Sequence, residues 1–85
     1  IIYFIIMNIY FLEKSIDFNA EDIDSCKIGG TEKTLINITN ELAKYNNINV
    51  KVFNEVKYEK KINNVHWCNI NQYNQNIIPD ALISF

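Results

Sequence analysis

The chain has 85 residues, enough for one small domain with a thin core, because a chain of this size buries only about 60–65% of the surface it exposes when unfolded. Hydrophobic residues make up 48% and charged residues 21%, a globular rather than a disordered mixture, and the net charge of −2 gives no electrostatic ground for a nucleic-acid or anionic-lipid partner. All 8 basic residues are lysine, so the bidentate guanidinium clamp for phosphate or carboxylate is absent.

In chain order, Ile1–Leu12 is apolar apart from Asn8 and the tyrosine hydroxyls. It is too short to span a membrane as a helix, which needs roughly 20 residues, and it lacks the basic start and cleavage site of a signal peptide. Its Ile, Tyr and Phe content predicts a strand that stops at Glu13-Lys14. Met7–Leu12 is already a complete buried strand, so residues 1–6 are expected to be an extension outside the fold and residues 7–85 a partial domain. Lys14–Lys27 is polar and acidic without helical or strand period, and a loop of that length is often functional or mobile. From Gly30 a helical period begins. Leu35, Ile38, Leu42 and Tyr45 fall on one face, flanked by Ile36 and Ala43, with Thr31 as the expected N-cap, Glu32 at the positive end of the dipole, and a stop at Asn46-Asn47.

Asn49–Phe53 alternates as a strand, and Asn54–Asn64 reads as a charged turn region in which Lys60-Lys61 form a solvated edge. Val65–Cys68 is a third strand. Asn69–Asn76 is polar loop or a short helical turn, Pro79-Asp80 breaks it, and Ala81–Phe85 reads as a fourth, fully buried strand. Apolar strands separated by a helix predict an α/β fold: a parallel, Rossmann-like sheet of about four strands with one main helix, covered on both faces. Because the last strand stops at Phe85, the sheet is expected to be a fragment of a larger one.

Cys26 and Cys68 form neither a disulfide framework nor a metal-site spacing, which favours a reducing, cytoplasmic compartment. No metal or cofactor is expected. Asp17–Asp22 starts like a calcium loop, but Asp22 stands where glycine is needed and Ile28 where the bidentate glutamate is needed, so a solvated acidic loop is favoured. The only histidine, His66, has no nucleophile near it in sequence and reads as structural, while Tyr45, Tyr58 and Trp67 read as core or rim aromatics.

Gly29-Gly30 is the principal chemical signal. Two glycines ahead of a helix let the backbone approach a ligand closely and leave N–H groups free at the positive helix end, a ready site for phosphate or diphosphate. Equally, the pair could do no more than turn a loop into a helix. The dinucleotide fingerprint fails on spacing, and Lys33-Thr34 is no P-loop because Glu32 stands where that motif has glycine.

Met7-Asn-Ile-Tyr-Phe-Leu12, Ile28-Gly-Gly-Thr-Glu-Lys33, Leu35–Lys44, Val50-Lys-Val-Phe53 and Pro79-Asp-Ala-Leu-Ile-Ser84, in that order, resemble the amino-terminal segment of family 4 glycosyltransferases of the GT-B fold. The resemblance covers nearly the whole chain from Met7. It implies a retaining transfer of a sugar from a nucleotide-sugar donor to an acceptor, with the glycine turn facing the donor diphosphate. That maps donor binding onto Gly29, Gly30 and Thr31, and gives this half of the fold the acceptor. The family's second domain, with its paired-Glu motif, and its histidine-bearing loop lie outside these 85 residues, so the isolated chain is expected to be inactive and its catalytic residues are unassigned. Peripheral membrane contact belongs to the complete enzyme under this reading. Two alternatives stand beside it: a non-catalytic phosphate- or nucleotide-binding module, and a subunit completed by a separately encoded half or by itself through the exposed sheet edge.

Overall fold

The computed structural model describes residues 6–85. Of the expected extension, all but Ile6 lies outside the described residues; Ile6 is exposed. The strands are β1 (Met7–Leu12), β2 (Ile48–Asn54), β3 (Lys60–Ile62), β4 (Val65–Asn69) and β5 (Ala81–Ser84), with one α-helix, α1 (Gly30–Leu42), between β1 and β2. They form one sheet in the order β3-β4-β2-β1-β5. Four strands run parallel, and β3 joins antiparallel to β4 at one edge. The molecule is thus an α/β fold with a five-stranded mixed sheet. Its four parallel strands, β4-β2-β1-β5, keep the order in which a doubly wound sheet begins, with the reversal between β1 and β5, and are compatible with a Rossmann-like fold.

The extra strand is the first departure from expectation. β3 comes from the charged stretch expected to be turn, and a two-residue connection, Asn63-Asn64, folds it onto β4. Both asparagines have positive φ, 52° and 67°, as a type I′ hairpin turn demands and as Asn tolerates better than other residues with a Cβ. Cross-strand pairing with Val65–Trp67 supplies the hydrogen bonds that Lys60–Ile62 could not secure by propensity.

The main core lies between the sheet and α1. Ile9, Phe11, Val50, Val52, Val65 and Trp67 point to one face and meet Leu35, Ile36 and Ala43 of the helix with Phe18, Ala20 and Ile28 of the preceding loop. The buried helical face is therefore Leu35–Ile36–Thr39–Ala43, with Leu42 at its margin, rather than the expected Leu35–Ile38–Leu42–Tyr45 stripe. Ile38 and Tyr45 are exposed. Thr39 can be buried because its hydroxyl donates to the carbonyls of Leu35 (2.9 Å) and Ile36 (3.0 Å), which satisfies the polar group inside the turn. The helix also stops earlier than expected, at Leu42 with Ala43 as C-cap, and Asn46-Asn47 lie in the turn leading to β2.

The opposite face is covered only in part. Tyr10, Phe53 and Cys68 are buried there beneath Leu12, Ile70 and Tyr73, the last two from the crossing segment that leads from β4 to β5. Tyr73 and Tyr10 both meet Phe53 edge-on, at centroid distances of 5.4 Å. The expected cover on both faces is thus met in full by the helix on one side only; on the other a short irregular crossover covers just the Tyr10–Phe53–Cys68 end. β5 is not fully buried, contrary to expectation: with a neighbour on one side only, it leaves Leu82, Ile83 and Phe85 exposed. Its Pro-Asp start has a local cause. The Asp80 carboxylate accepts the Asn8 N–H at 2.7 Å and the Asp80 N–H donates to the Asn8 carbonyl at 2.9 Å, so the pair begins the β1–β5 ladder.

Candidate functional site at the carboxyl edge of the sheet

Because α1 returns the chain from the end of β1 to the start of the parallel β2, its N-terminus lies at the carboxyl edge of the sheet. That is the edge at which open α/β sheets bind ligands, at the point where strand order reverses. Gly29 is the N-cap, correcting the expectation for Thr31, which is the second helical residue and points to solvent. The first intrahelical bond is donated by the Lys33 N–H to the Gly29 carbonyl at 3.1 Å. The amides of Gly30, Thr31 and Glu32 therefore have no intrahelical acceptor, and no side chain caps the helix. Gly29, Gly30 and Thr31 are all exposed.

Neither glycine is required by backbone conformation: no glycine has positive φ, and Gly29 is extended at φ −99°, ψ −167°. A Cβ added to Gly30 would meet nothing within 4 Å. A Cβ added to Gly29 would come 3.4 Å from Glu32 Oε2, so the Glu32 carboxylate leans back over the N-cap, where the helix dipole favours an anion.

The long loop before the helix is built, not loose. Phe18 is buried edge-on against Trp67 at a centroid distance of 5.6 Å. Asn19 and Asp22 form a reciprocal capping box on a 3-10 turn at Ala20–Asp22. Glu21 pairs with Lys60 at 2.6 Å and Asp22 approaches Lys27 at 3.8 Å. Glu21 and Asp22 of the calcium-like stretch are thus engaged with the protein's own amides and lysines. Among the described residues no cluster of histidine, cysteine, aspartate and glutamate could hold a metal ion.

Sequence reasoning missed three polar residues at this edge. Asn54, fully buried at the end of β2, donates to the Phe18 carbonyl at 2.7 Å and accepts the Val56 N–H at 3.1 Å. Asn69, at the end of β4, donates to the Val56 carbonyl at 2.7 Å and accepts the Asn71 N–H at 2.9 Å. Both are latches between strand ends and loops. Glu13, just past β1, is buried, and its carboxylate accepts the Ser15 N–H at 2.8 Å and the Ser15 hydroxyl at 2.7 Å. The sequence signal was present in the Glu-Lys-Ser run directly after an apolar strand, a frequent place for a side chain to fold back on the following turn.

His66 is not brought to this edge. It lies on β4 on the face away from α1, beside a groove at the amino ends of β1 and β2. Trp67 is fully buried and Cys68 buried, whereas Tyr45, Tyr58 and Cys26 are exposed. Burial, with the nearby Glu59 carboxylate, pushes the Cys68 thiol up from its ordinary value, so this thiol is a packing group rather than a nucleophile. No helix among the described residues is long and apolar enough to cross a membrane. The chain matches no family model, no curated protein and no solved structure.

Proposed function

We propose that the chain is the acceptor-side, Rossmann-like half of a GT-B glycosyltransferase, and that Gly29, Gly30 and Thr31 face the diphosphate of a nucleotide-sugar donor. The observation that carries this reading is the bare N-terminus of α1. Its amides have neither an intrahelical acceptor nor a side-chain cap, and they open at the carboxyl edge of a parallel sheet. Two successive residues without side chains let a phosphate oxygen come within hydrogen-bond distance of those amides. The family resemblance of the glycine turn and its neighbours adds the sugar-nucleotide identity of the ligand. Under this reading the half-site binds and orients the donor diphosphate, and a second domain supplies the other wall and the chemistry.

Calorimetric titration with uridine and guanosine diphosphates tests it. The wild-type chain should bind one of them weakly, and Gly30→Val should abolish binding while leaving the fold intact. Absence of binding by the wild-type chain would remove the reading. Binding without transfer to any acceptor once the full-length coding sequence is expressed would favour the non-catalytic nucleotide-binding module instead.

A further inference from the structure

On the face of the sheet away from α1, register places three basic groups side by side. Lys51 of β2 pairs with His66 of β4, and His66 pairs with Lys61 of β3. In-register residues of neighbouring strands project to the same face, so Lys51, His66 and Lys61 form one cross-strand row. Like charges opposite each other in a sheet are destabilising, and this chain carries a net charge of −2, so the row is not a consequence of a generally basic surface. The other described ion pairs use Lys27, Lys44 and Lys60; among the described residues neither Lys51 nor Lys61 has a carboxylate partner. Lys51 instead sits over the Tyr10 ring, 5.8 Å from its centroid.

The row borders a built groove. His66 and Lys61 line it together with Asn8, Asn49, Asn46 and Asn64, at the amino ends of the parallel strands. The Asn49 amide donates to Asn8 Oδ1 at 2.8 Å, which fixes the two side chains at its floor. The groove volume is about 540 Å³, ample for a phosphate group and part of what carries it. We propose that this groove is a second anion site, in which Lys61 and His66, reinforced by Lys51, bind the phosphate group of a phosphomonoester. It lies at the opposite edge of the sheet from the glycine turn and is independent of the role given to that turn.

The electrostatics agree with the geometry. Partial burial, then Lys61, then Lys51 push the His66 imidazole below its ordinary value of 6.5, and only Glu59, at the start of the β3 hairpin, pulls the other way. The crossover after β4 contributes Tyr73 over this face and, at its far end, Asp80, whose carboxylate is held by the Asn8 N–H at 2.7 Å on β1, two strands away from His66. A phosphate dianion in the groove reverses the balance by pairing with Lys61 and the imidazole, with Lys51 the next group along the row, so it must favour the protonated imidazole, and binding must strengthen as pH falls.

The single histidine makes the test direct. Its imidazole resonances are followed by NMR across pH at constant ionic strength, in chloride and with added inorganic phosphate. Phosphate should raise the titration midpoint saturably by about one unit, which corresponds to a roughly tenfold tighter grip on the protonated form. Lys61→Gln and Lys51→Gln, each checked for native dispersion, should reduce that rise. A parallel arm uses phosphatidylcholine vesicles with and without phosphatidic acid. A midpoint raised by soluble phosphate alone assigns a soluble phosphomonoester, and one raised only by the phosphatidic acid vesicles assigns a lipid headgroup. A midpoint unmoved in both arms, or a rise that both lysine variants retain in full, overturns the proposal and leaves the row as a solvating sheet face.

Discussion

Replacing Gly30 by alanine separates what the fold needs at the glycine turn from what a ligand would need. In the free protein the added Cβ has open space, with nothing within 4 Å, and neither glycine uses a positive φ. Gly30 is the first residue of α1, so alanine narrows the unfolded ensemble without straining the folded one. The expected gain is about 0.4–1 kcal/mol. For a chain of this size that corresponds to a rise in Tm of roughly 2–8 °C. With a diphosphate at the helix end the same methyl stands between the ligand and the Gly30 amide. Loss of one charge-assisted hydrogen bond weakens binding by about 1.5–3 kcal/mol, or roughly 10- to 150-fold. Thermal unfolding with and without uridine or guanosine diphosphate reads both quantities on one sample. The signature is opposite signs: a more stable apoprotein and a smaller ligand-induced increase in Tm. A variant that is stabilised yet binds the nucleotide as well as wild type would refute the placement of the diphosphate on this turn, and a destabilised variant would refute the account of the turn itself.

Asn54→Ala leaves the Phe18 carbonyl and the Val56 N–H without partners in a buried place, and should cost about 2–4 kcal/mol by urea unfolding, with early hydrogen exchange in the loop before α1. His66 has a folded-state pKa below 6.5, so the unfolded chain binds the proton more tightly; its contribution is present above 6.5 and is lost as pH falls from there through the lowered folded value. His66→Gln should flatten the pH dependence of Tm across that window. Leu82, half-exposed on the unpaired edge of β5, adds apolar surface where another strand could join. Leu82→Lys should cost about 1 kcal/mol of stability while lowering concentration-dependent association measured by light scattering.

The elements with strong local patterns were legible before any coordinates. Met7–Leu12 and the Val50–Phe53 alternation each announce a strand, and the glycine pair announces the start of α1, because each signal is carried by consecutive side chains and needs no distant partner. The α/β class followed from their order. Tertiary structure decided the rest. Lys60–Ile62 became a strand only because Asn63-Asn64 turn it back onto β4, and the buried face of α1 rotated toward Thr39 because a threonine can satisfy its hydroxyl within its own helix. Whether Ala81–Ser84 is central or peripheral depends on its position in the sheet, which local hydrophobicity does not encode. The same holds for chemistry. Adjacent glycines suffice to mark a helix end, whereas Lys51, His66 and Lys61 become one row only through strand register, a relation between residues as much as 15 positions apart in sequence.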